Sequence, residues 1–327
     1  MKILVSTPTE YDSTSFYRCW GVLHNLNKDM GGKLQLDSFS RGNYDWSKLS
    51  GYDILFLHRP SSAVVLNLVQ YCKQIGVKVW VDYDDNLFNL PYENRAYDNY
   101  KLDVKKLMRT ILENADIITV STQPLADFFK HNLFIPNPIE VIPNALNDRF
   151  FKMAEKFNED KNYFWRGSET HYGDILDFTN EIYEGIANTT VPWYFVGYKP
   201  HILMRNFGDD RLKYVEPQDP ILYHSTFKSL KPHIMHVPLS SNALNESKSN
   251  IAWIEATYAG AVTIAPDWKE WKMPGVLNYK SNEEYQSLLI NPPSNLAELW
   301  KQSHDYIKEN LLLSKVNQKR KTIIENL

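Results

Sequence analysis

Apolar and polar positions along this chain fall into two alternating registers. Short runs centred on apolar residues recur at 3–7, 34–39, 53–57, 77–81 and 117–120, each bounded by polar or turn-forming residues. The continuous run Ile54-Leu55-Phe56-Leu57 predicts a strand covered on both faces, as in a parallel sheet. Between the runs, amphipathic stretches at 16–26, 63–75 and 101–114 have helical spacing, and Gly76 stands where a helix-ending glycine is expected. The first half closes at 140–144. Strand and helix in alternation predict a doubly wound α/β unit.

The pattern then turns polar and aperiodic to about residue 161 before a second α/β series begins. Strands are expected at 163–166, 193–196, 212–215, 233–237 and 261–265, and helices at 174–187, 223–230 and 249–259. Residues 296–325 read as largely helical. The expected division is an acceptor-side Rossmann-like domain over 1–147, a linker over 148–162, a second Rossmann-like domain over 163–300 and C-terminal helices over 301–327. Two such domains leave a cleft at the carboxyl ends of both sheets, which directs attention to the loops after strands.

A chain of 327 residues is long enough for two domains of about 100 to 200 residues each. The 36 Lys and Arg nearly balance the 39 Asp and Glu, so a polyanionic partner would need cations gathered locally. Two cysteines without metal or disulfide spacing fit a reducing compartment, and the cytoplasm is the expected location. No run of about 18 apolar residues occurs, so neither a membrane span nor stable membrane association is expected.

The segment Asn245-Glu246-Ser247-Lys248-Ser249-Asn250-Ile251 leads into an apolar helix carrying Glu255, followed by Gly260-Ala261-Val262. Free amides at a helix start attract anions, and Lys248 adds a charge beside them. The bland alternative is that Ser249 or Asn250 only caps the helix and Glu255 is solvated. A dehydrogenase reading would want a glycine-rich turn after the first strand, but residues 8–18 contain no glycine.

These residues resemble the donor motif of GT-B retaining glycosyltransferases of the family 4 type, and most closely a phage-type branch. That branch is matched here by Asn245, Lys248, Ser249, Asn250, Ile251 and Glu255. Further stretches agree: Trp165-Arg166-Gly167-Ser168 with His171 and Asp174, the acidic turn Asp82-Tyr83-Asp84-Asp85, and Thr14-Ser15-Phe16-Tyr17-Arg18 in the place of a first loop. The resemblance implies an α/β GT-B fold, with two doubly wound Rossmann-like domains facing across a cleft and the final helices crossing back to the first. It implies transfer from a nucleotide diphosphosugar, a UDP-sugar of glucose or arabinose first, with Arg166 and Lys248 meeting the diphosphate. Gly167, Ser168, Ser249, Asn250, Glu255 and Glu246 then bind the donor, with Glu255 on the ribose. No metal or other cofactor is expected on this reading.

Other residues leave more open. Asp82-Tyr83-Asp84 also matches a metal-binding Asp-any-Asp pair, against the alternative that these acids line the acceptor side. His58 and Arg59 follow the third strand, where the histidine could orient a reacting group and the arginine bind phosphate. His233 and His236, three apart on a strand, point to opposite faces and do not suggest a metal. On the acceptor side the candidates are Tyr17, Arg18, Asp84, Arg59 and Arg95, joined by Arg41, Tyr44, Trp46, Tyr92, Tyr97 and the basic run 319–321. The resembling branch includes enzymes that glycosylate hydroxymethylated cytosine, so double-stranded phage DNA is the first acceptor to expect. Surface polysaccharide and lipid-linked glycan are the alternatives, and a non-catalytic nucleotide-sugar binder is the competing class.

Overall fold

The computed structural model describes residues 1–7, 12–39 and 45–327; Arg41 and Tyr44 lie outside them. Among the described residues, twelve strands form two parallel sheets. The first contains β1 (Lys2–Ser6), β2 (Gln35–Ser38), β3 (Ile54–His58), β4 (Lys78–Tyr83), β5 (Ile117–Val120) and β6 (Ile139–Val141), in the order β2-β1-β3-β4-β5-β6. The second contains β7 (Tyr163–Gly167), β8 (Trp193–Gly197), β9 (Leu212–Val215), β10 (Ile234–His236), β11 (Val262–Pro266) and β12 (Leu277–Tyr279), in the order β12-β11-β10-β7-β8-β9. The halves are therefore related but not copies. The strand order reverses between β1 and β3 in the first and between β7 and β10 in the second. Open α/β sheets bind ligands beyond the strand ends at such reversals.

Helices cover both faces. The first half uses α1 (Ser13–Arg18), α2 (Trp20–Asp29), α3 (Ala63–Ile75), α4 (Leu102–Glu113) and α5 (Gln123–His131). The second uses α6 (Tyr172–Asp177), α7 (Thr179–Asn188), α8 (His201–Met204), α9 (Pro220–Ser229), α10 (Ile251–Ala259) and α11 (Asn282–Ile290), followed by α12 (Leu296–Asn310) and α13 (Leu313–Asn326). Successive strand residues face opposite ways, and the cores record it. Leu55 and Leu57 of β3 pack in one buried cluster, while Ile54 and Phe56 join another that runs on to Phe164, Trp253 and Ile324. That second cluster ties the halves together.

Local chemistry explains the boundaries. The Ser62 side chain accepts from the Val65 amide to open α3, and Gly76 closes it in the left-handed region at φ 79°. The single helix expected over 16–26 is broken at Cys19, where the chain leaves helical geometry. Gly21 permits this break, because a Cβ there would lie 2.1 Å from the Phe16 carbonyl oxygen. The break turns Tyr17 and Arg18 inward. The chain returns to the first half at its end: the Leu146 and Leu313 amides donate to Leu311 and Leu146 carbonyls, and Asn317 Nδ2 of α13 donates to the Val22 carbonyl of α2 at 3.2 Å. Among the described residues, no helix is long and apolar enough to cross a membrane.

Candidate functional site

A cavity of about 820 Å³ opens between the carboxyl ends of the two sheets. Its floor on the second half is Arg166, which ends β7 beside Gly167. A side chain at Gly167 would press to 2.7 Å from the Trp165 ring, and one at Gly197 to 2.4 Å from the Gly167 carbonyl oxygen. The paired glycines thus let two strand ends turn sharply and leave Arg166 facing the opening. Arg166 Nε lies 2.7 Å from Glu255 Oε2, and its buried Nη2 has no hydrogen-bond partner among the described residues.

Glu255 sits in the middle of α10, 3% exposed. The Tyr17 hydroxyl donates to its Oε1 at 2.7 Å and the Tyr223 hydroxyl to its Oε2 at 3.0 Å. The two hydroxyls take two of the roughly four lone-pair positions of a carboxylate, and the ion-paired Arg166 crowds a third. A ligand diol would have to displace one. Burial first, and then the Glu255 charge, push both tyrosines well above their ordinary range, so they remain donors. The Tyr17 oxygen also lies 2.6 Å from His224 Nε2. Burial lowers His224 to about 4, and the neutral ring stacks on Phe151 with centroids 4.0 Å apart. Tyr223 and His224 were not among the sequence candidates. They lie on a helix of ordinary composition, and only the approach of α9 to α10 brings them to Glu255.

A second cation lines the same cavity. Lys248 Nζ lies 3.4 Å from both ring nitrogens of His171, whose Nδ1 is 2.8 Å from Asp174 Oδ2. Asp174 Oδ1 accepts from the Ser240 amide at 3.0 Å and from Asn245 Nδ2 at 2.6 Å. Asn245 therefore serves by holding the acid that holds the histidine. Burial lowers the affinity of Lys248 for its proton, opposed by Asp174 and Asp85; burial and then Lys248 lower His171.

On the first half, Arg59 follows β3 with φ 47°, a strained position for a residue with a side chain. Its guanidinium bonds Asp84 through Nε and Asp85 at 2.6 Å through Nη2. Burial alone would raise Asp84, but the attraction of Arg59 and the hydrogen bond from His58 outweigh it and hold the carboxyl low. At the mouth, exposed Arg95 pairs with Glu169 across the opening.

The structure brings Tyr17, Arg59, Asp84, Arg166, Gly167, Ser168, Lys248, Ser249 and Glu255 to one cavity. It places four expected site residues elsewhere. Arg18 is buried on Asp82, because the break at Cys19 turns it beneath the sheet ends, and it has no surface for an acceptor. His58 is 1% exposed, between Thr7 at 3.3 Å and Asp84 at 3.4 Å, so it supports Asp84 from behind. Asn250 turns away to donate to the Glu270 carbonyl at 2.9 Å. Glu246, on the one-turn helix before Lys248, faces solvent and accepts from Ser241 at 2.7 Å. The Asp82-Tyr83-Asp84 pair is likewise divided, since Asp82 is committed to Arg18 and Asp84 to Arg59. No cluster of three or more metal-ligating side chains occurs among the described residues.

The charge of the lining matters as much as its shape. Arg59, Arg166, Lys199 and Lys248 face five carboxylates, Asp84, Asp85, Glu169, Glu216 and Glu255. The described lining therefore has no surplus of cations.

No family model matches this sequence, and no curated protein matches it. Solved structures do. Sucrose-phosphate synthase from Thermosynechococcus elongatus superposes with a TM-score of 0.69 at 13% identity, covering 99% of this chain and 98% of its own. The Anabaena protein HepE, in complex with UDP and glucose, gives 0.68 at 10% identity with both chains covered in full. An alpha-glucosyltransferase in complex with UDP and a 13-mer DNA containing an HMU base gives 0.65 at 9% identity, covering 99% and 98%. The chain has the GT-B glycosyltransferase fold.

Proposed function

We propose that this protein is a retaining glycosyltransferase that moves a sugar from a nucleotide diphosphosugar, a UDP-sugar first, to a hydroxyl acceptor. The observation that carries the reading is the pair of half-buried cations, Arg166 with an unsatisfied Nη2 and Lys248, facing one cavity at the strand-order reversals. Donor transfer breaks the bond between the anomeric carbon and a phosphate oxygen, and its electron pair leaves with the diphosphate. Arg166 and Lys248 meet that growing negative charge, a contribution of about 3 to 4 kcal/mol for one well-placed group. The acceptor oxygen bonds the same carbon on the face the diphosphate leaves, and a diphosphate oxygen takes its proton. This route asks for no nucleophilic side chain and no metal. Glu255 is placed to take a ribose hydroxyl once a tyrosine gives way.

Two acceptor classes compete. Hydroxymethylated cytosine in DNA draws on the neighbour solved with DNA. The excess of carboxylates in the cleft favours a neutral hydroxyl compound instead, because DNA binding depends on cations placed along the phosphates. The test of donor chemistry is UDP release from UDP-glucose, UDP-arabinose and related donors without an acceptor, in excess EDTA. Slow release that is lost in Arg166→Ala supports transfer. Tight nucleotide binding with no release from any donor would favour the non-catalytic binder, and activity that EDTA abolishes and metal restores would overturn the metal-free route.

A further inference from the structure

Aromatic side chains flank the cleft on both halves: Tyr198 lines it with Tyr172 against that ring, and Tyr92 and Tyr97 stand beside the lining residues Asn94 and Ala96 in the chain. On the first-half lip, Tyr92 is 80% exposed and packs edge-on to Tyr97, with centroids 5.5 Å apart. On the opposite lip, Tyr172 is 41% exposed and meets Tyr198 edge-on at 6.3 Å. The Arg95–Glu169 ion pair spans the gap between these lips, and Asn94 Nδ2 donates to the Thr170 carbonyl at 3.3 Å beside it. Arg95 and Glu169 both act electrostatically on the Tyr198 hydroxyl, which places that ring at the same opening.

We propose that these lips hold the acceptor, and that the acceptor is a neutral glycan whose sugar rings lie against Tyr92 and Tyr172. The proposal rests on the glycosyl-transfer reading above. A tyrosine offers an apolar ring face and a hydroxyl on a side chain with few rotamers, which suits a sugar ring with one apolar face and a rim of hydroxyls. Single-stranded or extruded nucleic acid also stacks on aromatics, but such sites add a positive groove along the phosphates. Here the cation between the rings is neutralised by Glu169, and the cavity behind holds more carboxylates than cations. Charge thus separates two partners that aromatic rings alone would not.

The experiment uses the full chain, with maltohexaose, cellohexaose and laminarihexaose as probes read by saturation-transfer NMR, and UDP titrated into the same samples. At least one hexasaccharide is expected to bind. Its affinity should fall about fivefold or more in the double variant Tyr92→Ala/Tyr172→Ala, survive in Tyr92→Phe/Tyr172→Phe, and change little between about 50 and 200 mM salt. UDP affinity should be the same in all three proteins. Failure of all three sugars to bind, or binding indifferent to the alanine variant, overturns the proposal. So does salt-sensitive capture of a hydroxymethylcytosine duplex that those substitutions abolish. UDP binding without glycan binding refutes the glycan lips alone, whereas absence of UDP binding refutes the reading of a UDP-sugar donor.

Discussion

Two arginine–carboxylate pairs, a fully buried one in the first half and a half-buried one in the second, do different work. Arg18 meets Asp82 through a two-pronged contact at 3.0 and 2.7 Å, and its remaining nitrogen donates to the Ile142 carbonyl and Asn144. Thr119 donates to the same acid at 2.6 Å. Arg166 meets Glu255 at 2.7 Å but keeps an unsatisfied nitrogen and faces an 820 Å³ cavity. The first pair has spent its hydrogen-bonding capacity inside the fold. The second has some left for a ligand. Similar residue types therefore give a structural tie in one case and a candidate site in the other, and the surplus of unmet donors tells them apart.

The largest expected effect breaks the first pair. Arg18→Ala leaves Asp82 buried without its charge partner and should cost about 3–5 kcal/mol of stability, measured by urea unfolding. UDP binding by the folded fraction should persist, and its loss in step with Arg18 would erase the distinction between the pairs. Arg166→Ala is the converse: UDP release from the donor should fall about 10²- to 10³-fold, with a smaller change in the unfolding midpoint than Arg18→Ala produces.

Acid sharpens the contrast on the cavity side. His224 is lowered to about 4 from an ordinary 6.5, so between those values the unfolded chain binds a proton that the folded chain refuses. Stability attributable to this group is intact above pH 6.5 and is lost as pH falls towards 4, by about 3 kcal/mol. Urea unfolding of His224→Gln across that range should show a shallower decline than the parent protein. Parallel curves would mean the ring is not held neutral. The smallest effect is at Tyr17, whose hydroxyl occupies one position on Glu255. Tyr17→Phe should tighten UDP binding by about threefold to tenfold, the worth of a hydrogen bond to a charged group less its replacement. Weaker binding would show that Tyr17 holds the nucleotide rather than competing with it.

Much of the architecture was legible because parallel strands are marked by continuous apolar runs. The helix 63–75 was expected with the bounds it has, since Ser62 and Gly76 bracket it. Three helices, α5, the four-residue α8 and α11, and an edge strand do not show in the apolar pattern. Pro124 obscured α5, although proline is well tolerated in a first helical turn and Thr122 supplies the cap. The Ser281-Asn282-Glu283-Glu284 start of α11 carries a capping-box spacing but little apolar periodicity behind it, and β12 is a three-residue edge strand with little pattern to read. In the site, Arg166, Lys248 and Glu255 were accessible through spacing and resemblance, because Arg166 stands at a strand end, Lys248 just before α10 and Glu255 within it. Arg18 and His58 could not be separated from them by sequence. Their roles depend on which way the chain turns at Cys19 and on the closure of Asp84 over His58, and both are tertiary facts. Tyr223 reached Glu255 by helix packing alone.

The most direct measurement is a calorimetric titration of UDP and of uridine into the parent protein and into Arg166→Ala/Lys248→Ala. If the two cavity cations hold a diphosphate, the parent should bind UDP far more tightly than uridine, and the double variant should lose most of that difference while keeping its affinity for uridine. A parent protein that binds UDP no better than uridine, or a difference that survives both substitutions, would contradict the account.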